Sequence, residues 1–215
     1  MRVNLYVASA TGLSRRAADR AVLADRVSIN GVTVRTGQQV QPSDEVRLDG
    51  LSINLPMQTT TVVFNKPVGY VCSRNGQGNK TVYSLLPQTM RSLKPVGRLD
   101  KDSSGLLLLT NNGKLAHKLT HPSFDKDKIY QVVIDKPLTP PDQAKIVNGV
   151  DLDDRPSKLQ LRGEGKRWTI TMHEGRNRQI RRTFTVLGYQ IITLHRTNFG
   201  QYSLGELRSG KYRQI

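Results

Sequence analysis

The chain has 215 residues, 36% of them hydrophobic, and carries 33 Lys plus Arg against 17 Asp plus Glu for a formal charge of +16. That length allows one large domain or a small one with a medium one, and the charge favours a polyanionic partner, nucleic acid before a membrane surface. No stretch approaches the ~20 apolar residues of a membrane helix, and a single cysteine, Cys72, excludes an internal disulfide and suits a reducing cytoplasm.

The N-terminal MRVNLYVASATGLS lacks a long apolar core and a following cleavage signal, so no signal peptide is expected. Val3, Tyr6, Val7 and Ala10 share one helical face, and Thr11-Gly12 ends that helix. Ser14 caps a second helix carrying Arg15, Arg16, Ala17, Ala18, Ala21 and Val22. VSIN and VTV then read as strands joined by Asn30-Gly31, the strongest short hairpin signal, and EVRLDG follows the turn at Pro42-Ser43-Asp44. Arg15 and Arg16 stand where the helix dipole prefers anions, which makes sense if they face phosphates; two solvated arginines on an exposed face are the competing reading. SRRAAD, RVSING and PSDEV resemble the small RNA-binding domain named after ribosomal protein S4, over residues 1–50. That resemblance implies RNA contacts from Arg15, Arg16 and Arg26. The chain departs from the domain's pattern at Leu5, usually basic, at Asp25, usually glycine, and at Ser43 within Pro-Gly-Asp.

Residues 51–60, LSINLPMQTT, carry no charge and read as a linker to a second domain over 61–215. TVVFNKPVGYVCS gives a strand, a turn at Lys66-Pro67 and a continuation past Gly69 that holds Cys72 as a small buried hydrophobe. RNGQGNK is glycine-rich and basic without the spacing of a phosphate-binding P-loop.

GRLDKDSSGLLLLTNNG, residues 97–113, is the densest stretch. Four leucines bounded by Gly105 and the Asn112-Gly113 turn signal predict a strand buried on both faces. Asp100 is then held at the mouth of a rigid core strand beside Arg98, where a carboxylate can serve as nucleophile or general base. By spacing alone, turn residues ahead of a strand are the simpler reading. Asp100, Asp102, Ser104 and Gly105 also imitate half of an EF-hand loop, but its twelfth position is Asn111 instead of Glu.

KLAHKLTHP predicts a short helix; His117 and His121 are four apart, yet Lys118 replaces the glutamate of the zinc-protease pattern, and no metal is expected. KIYQVVID alternates as a strand with Tyr130, Val132 and Ile134 on its apolar face. Thr139 caps a helix opening on Pro140-Pro141 and ending before Gly149, and RWTITMHEG reads as a further strand. In EGRNRQIRRTFTVLG, Ile180, Phe184 and Leu187 mark a buried stripe, while Arg176, Arg178, Arg181 and Arg182 crowd the first turns as a basic cluster. Arg181 lies at the edge of the stripe and needs a carboxylate partner there, for which Asp100 is the candidate. IITLHRTNFG and a basic tail complete the sheet.

GRLDKDSSGLLLLT, KIYQVVI, EGRNRQIRR and NKPVGYVCS occur in the order seen in pseudouridine synthases, and resemble the branch that acts on ribosomal RNA and carries the S4-like domain at its front. The resemblance covers essentially the whole chain. It implies an α+β protein in which a mixed, mainly antiparallel sheet is flanked by helices and crossed by the active-site cleft. By the resemblance Asp100 is the catalytic aspartate, Tyr130 packs against the target uracil, and Arg181 is the basic partner of the aspartate. Arg98, Arg176, Arg178 and Arg182 join Arg15, Arg16 and Arg26 as RNA-binding positions. An isomerisation exchanges no electrons and no donor group, so no cofactor is expected. Ribosomal RNA is the expected partner of a cytoplasmic monomer, 23S before 16S because EGRNRQIRR and LHRTNFG look closer to large-subunit members. The competing classes are a non-catalytic RNA-binding or ribosome-assembly protein and a base-removing hydrolase; the latter would lower RNA mass, whereas isomerisation would not.

Overall fold

A computed structural model of the chain describes residues 1–56, 58–124 and 126–215; Met57, within the expected linker, lies outside the described residues. The chain divides into one unit of Met1–Thr60 with Gln88–Leu93, and a second of Thr61–Pro87 with Lys94–Ile215. Among the described residues no helix is long and apolar enough to cross a membrane.

In the first unit, Val3, Val7 and Ala8 recur at helical spacing and are buried, so α1 (Val3–Thr11) turns one face inward. Gly12 ends it at φ 77°, a left-handed conformation that a side chain would strain. The Ser14 hydroxyl accepts a hydrogen bond from Ala17 N at 3.1 Å and so opens α2 (Arg15–Leu23) as expected. β1 (Val27–Ile29) and β2 (Val32–Thr33) pair across Asn30-Gly31, both at positive φ. β3 (Val46–Leu48) takes the other edge of β1, and β4 (Leu51–Ser52) pairs with β3, giving the order β2-β1-β3-β4. β4 corrects the reading of residues 51–60 as plain linker. Asp49 and Gly50, at φ 52° and 77°, form a second tight hairpin, and Ile53 packs on the core made by α1, α2 and the sheet.

The second unit is a mixed sheet with strand order β13-β5-β7-β11-β8-β10-β9. Its centre is β7 (Ser104–Thr110), where Leu106 to Leu109 are fully buried, each contributing about 2 kcal/mol of apolar burial. β5 (Thr61–Lys66) runs antiparallel along one edge of β7, and β13 (Tyr212–Gln214) pairs outside β5. The other edge is shared: β6 (Lys94–Val96) pairs with its C-terminal end, while β11 (Ile191–Phe199) runs parallel to its start at Ser104 and Gly105. β8 (Lys128–Ile134), β10 (Arg167–Met172) and β9 (Gln160–Glu164) follow antiparallel, and β12 (Tyr202–Ser203) folds back on β11. Among the described residues every strand pairing in this sheet but that of β7 with β11 is antiparallel, so the protein is α+β with a mixed, mainly antiparallel sheet.

Among the described residues three α-helices accompany this sheet: α3 (Gly113–Thr120), α4 (Pro140–Asn148) and α5 (Gln179–Val186). α4 begins at Thr139 with prolines in its first turn, where their missing N–H groups have no helical partner to lose. Asn112 differs from its expected role as a turn residue: its side chain accepts from Leu115 N and caps α3. Cys72 is buried as expected but sits in a loop, since beyond Gly69 only Val71 forms a bridge, to Thr81. α5 starts later than its basic run suggests, so Arg176 and Arg178 precede the helix and Arg178 is its N-cap.

Candidate active site

Asp100 lies on the loop between β6 and β7, and that loop is fastened from beneath. Lys66, at the end of β5 and fully buried, donates from Nζ to the carbonyls of Pro67 (3.0 Å), Asp100 (3.0 Å) and Ser103 (2.7 Å). Its burial pulls the ammonium pKa below its ordinary value. Cys72 Sγ donates to Leu99 O at 3.3 Å and accepts from Leu99 N at 3.4 Å, and burial pushes the thiol pKa up, which keeps it an inert fixture. Sequence reading took Lys66 only as a turn residue. A lysine closing an apolar strand just before a proline was the available signal.

The Asp100 side chain is 35% exposed, and the guanidinium nearest its carboxylate is that of Arg178, at 3.6 Å. Arg178 also grips Asp102 with two hydrogen bonds, of 3.0 and 2.9 Å. It does so from a left-handed backbone, φ 47°, that few non-glycine residues adopt. Arg181, 12% exposed, sets Nε 3.2 Å from Asp102 Oδ2 without hydrogen-bond alignment. Its Nη2 donates to Asp102 O at 2.8 Å and its Nη1 to Ile191 O at 3.2 Å. The expected pairing of Asp100 with Arg181 is therefore corrected: Arg181 pairs with Asp102, and Arg178 stands beside Asp100. The reason is the helix start. Placing the first turn at Gln179 leaves Arg178 free to reach over the loop, while Arg181 stays on the buried edge of α5. The hydrogen bonds from Arg178, with the nearby charge of Arg181, hold the Asp102 carboxyl below the usual carboxylate range.

Tyr130, 7% exposed, stands on β8 opposite Arg196 of β11 on one side and Ile170 of β10 on the other. Arg196 is only 2% exposed. Its Nε donates to Leu106 O at 2.8 Å, its Nη1 lies 3.5 Å from Tyr130 Oη, and its guanidinium is 5.0 Å from the Phe199 ring centroid. A register shift between Arg196 and Asn198 lets Leu194, Arg196 and Phe199 all line one cleft. Gly105 makes this approach possible: a Cβ there would sit 2.2 Å from Arg196 O, at a φ of 103°. Sequence reading missed Arg196, though an arginine in phase with Leu194 on a strand pattern marks a charge pointing inward.

The cleft has a volume of about 840 Å³ and brings together Asp100, Tyr130, Arg181, Arg98, Arg176 and Arg178, with Arg196 on its wall. Arg98 is exposed at it and has no ion-pair partner among the described residues. Arg176 and Arg182 differ from the expected solvated basic face. Arg176 is held by Asp154, Glu174 and the carbonyls of Arg155 and Pro156, and Arg182 by Asp154 and Asn177 O. Hydrogen bonds from Arg182 and Arg176 hold the Asp154 carboxyl below the usual carboxylate range, and only folding reveals these carboxylates as the arginines' partners. Arg182 does not line the cleft. In the first unit Arg15 and Arg16 are exposed at the start of α2, whereas Arg26 is bound through two hydrogen bonds to Asp49.

Residues 60–185 match the family described as RNA pseudouridylate synthase, and residues 1–46 match the S4 domain. The chain is 33% identical over its full length to ribosomal small subunit pseudouridine synthase A of Yersinia pestis, covering 94% of that protein. It is equally 33% identical over its full length to ribosomal large subunit pseudouridine synthase B of Bacillus subtilis strain 168, covering 91% of it. A crystal structure of a pseudouridylate synthase superimposes with a TM-score of 0.73 at 31% identity, over all of this chain and 96% of the other. With a loop aspartate, a strand tyrosine and inward-facing arginines gathered in one cleft of the matching fold, the chain belongs to the RNA pseudouridylate synthase family and carries an S4 domain at its front.

Proposed function

We propose that this enzyme converts a uridine of ribosomal RNA to pseudouridine, with Asp100 as the catalytic aspartate and Tyr130 stacked on the flipped base. The observation that carries the reading is Asp100 itself: a carboxylate about one-third exposed, opening into the cleft from a loop that Lys66 and the arginines hold still. Reaction needs the bond between C1′ and N1 broken, the uracil turned, and a bond made between C5 and C1′. N1 is out of reach inside a stack, so the nucleotide is extruded, and a cleft walled by Tyr130, Leu194 and Phe199 accepts a flat apolar ring. Asp100 either attacks the sugar or base, or takes a proton from the sugar; each route restores the carboxylate and consumes no cofactor.

Arg178 and Arg181 hold the Asp100–Ser103 loop, and exposed Arg98, with Arg15 and Arg16 in the front unit, contacts RNA phosphates. The substrate is 23S RNA, met by a monomer in the cytoplasm. Equal identity to a relative named for the small subunit supports 16S RNA as the second reading. Pseudouridine mapping of both RNAs after incubation with the protein tests the reaction and the choice together. Asp100→Asn is expected to lower turnover at least ~1000-fold with RNA binding preserved. RNA mass must stay constant; a loss of base, or full turnover by the asparagine variant, sinks the proposal.

A further inference from the structure

Arg196 lines the cleft, and the proposed chemistry has not used its placement. We infer that it forms an anion subsite for the uracil ring after that ring is cut from its sugar. The inference rests on the pseudouridine synthase reading and deepens it. Arg196 is 2% exposed, no carboxylate pairs with it among the described residues, and its buried Nη2 has no hydrogen-bond partner. A buried guanidinium left this way is costly unless a ligand completes it. The neighbours satisfy the guanidinium only in part. Nε is taken by Leu106 O, Nη1 reaches only the Tyr130 hydroxyl at 3.5 Å, and Phe199 offers a ring face instead of an acceptor.

The ligand has to reach a group on the wall of the cleft, beside Tyr130. A phosphate, heavily hydrated and tied to the backbone, suits the exposed Arg98 and Lys158 better; a single flipped base suits an apolar wall of Leu194, Phe199 and Tyr130. Uracil becomes an anion at one moment only. When the bond between C1′ and N1 breaks, its electron pair stays on N1 and spreads over both carbonyl oxygens. C1′ is satisfied either by bonding to an Asp100 oxygen or by losing its C2′ proton to that carboxylate. After the ring turns, C5 bonds to C1′, the carboxylate leaves or returns its proton, C5 loses a proton and N1 gains one. Arg196 meets the charge that develops in the first step, in a site already arranged and shielded from water. It would therefore be a catalytic residue, with its Nη2 donating to a uracil carbonyl oxygen.

The test uses the full-length protein and RNA carrying uridine or 5-fluorouridine at the mapped target, because fluorine at C5 stabilises the departing base by itself. Single-turnover loss of the target nucleoside is followed for wild type, Arg196→Met and Arg196→Lys. Arg196→Met is expected to be ~100-fold slower on the uridine RNA, the scale for removing one donor to a developing anion, with RNA affinity nearly unchanged. On 5-fluorouridine RNA its deficit should shrink about tenfold, and Arg196→Lys, which keeps the charge, should fall between. Equal deficits on the two RNAs overturn the inference, as does an unchanged rate. A loss confined to affinity, with a salt slope lowered by ~0.7 to 0.9, would assign Arg196 to a phosphate instead. Should Arg196→Met not fold, the two-substrate ratio for Arg196→Lys decides by the same criterion. Failure of the underlying reading looks different: wild type would then make no pseudouridine at all.

Discussion

Tyr130 shows how a residue can be placed by period alone and yet need the fold to acquire a partner. Alternation in KIYQVVID put its ring on the apolar face, and the structure buries it there. What alternation could not reveal was Arg196 directly across on β11, 66 residues away in the chain. Asp100 was legible for the same kind of reason, since a leucine run fixes a core strand and so fixes the loop entering it. Its neighbour was not legible: a difference of one turn in where α5 begins decides whether Arg178 or Arg181 stands beside it. The tyrosine yields a clean substitution series. Tyr130→Ala should weaken binding of the flipped base by ~1 to 3 kcal/mol, the value of a lost base–aromatic stack, while Tyr130→Phe keeps that contact. Binding is measured with an RNA that the Asp100→Asn background holds unreacted. If phenylalanine loses as much affinity as alanine, the ring does not stack; if phenylalanine binds normally but turns over slowly, the hydroxyl takes part in the chemistry.

At the scale of elements, the loop from Gly97 to Ser103 is held by three others: β5 through Lys66, the segment around Cys72, and α5 with its preceding turn. Hairpins announced by Asn30-Gly31 and helices opened by Ser14 or Thr139 were readable because their signals are local. The clamps on this loop join residues 27 to 79 positions apart, and nothing local encodes them. Asp102 is the anchor most easily probed. Its folded pKa is depressed, chiefly by hydrogen bonds from Arg178, so its contribution is present above the ordinary carboxylate pKa and is lost as pH falls through the folded value. The side chain is almost half exposed, so solvent screening limits that contribution to ~1 kcal/mol or less. Urea unfolding of wild type and Asp102→Asn should show wild type ahead at about pH 6 and the gap narrower at about pH 3, as the pH falls toward the depressed folded pKa. A gap that is the same at both values would mean that the pairing with Arg178 contributes nothing to the fold. A shift of the loop should also slow turnover in this variant, because Asp100 is two residues away.

For the whole molecule, the excess of positive charge has two uses that composition could not separate. Many of the arginines predicted to face RNA are consumed inside the fold: Arg26 by Asp49, Arg176 and Arg182 by Asp154, Arg178 by Asp102. What remains available for phosphates is a smaller set, with Arg15 and Arg16 exposed in the first unit and Arg98 and Lys158 exposed at the cleft of the second. Arg15 and Arg16 sit in the first turn of α2, where unpaired N–H groups and the helix dipole already attract an anion. On the proposed reading the front unit supplies affinity and the second supplies chemistry, since Asp100, Tyr130, Arg181 and Arg196 all belong to the latter. Deleting the front unit is a poor test, because Gln88–Leu93 belongs with it and would lose its neighbours. Arg15→Ala with Arg16→Ala leaves both units whole. RNA affinity should fall, and the slope of log affinity against log salt should become shallower by ~0.7 to 0.9 for each phosphate contact removed. Turnover at saturating RNA should stay at the wild-type value, because the proposed catalytic groups all belong to the second unit. An unchanged salt slope would take the phosphate role from this helix, and a fall in saturated turnover would mean that the front unit takes part in the reaction itself.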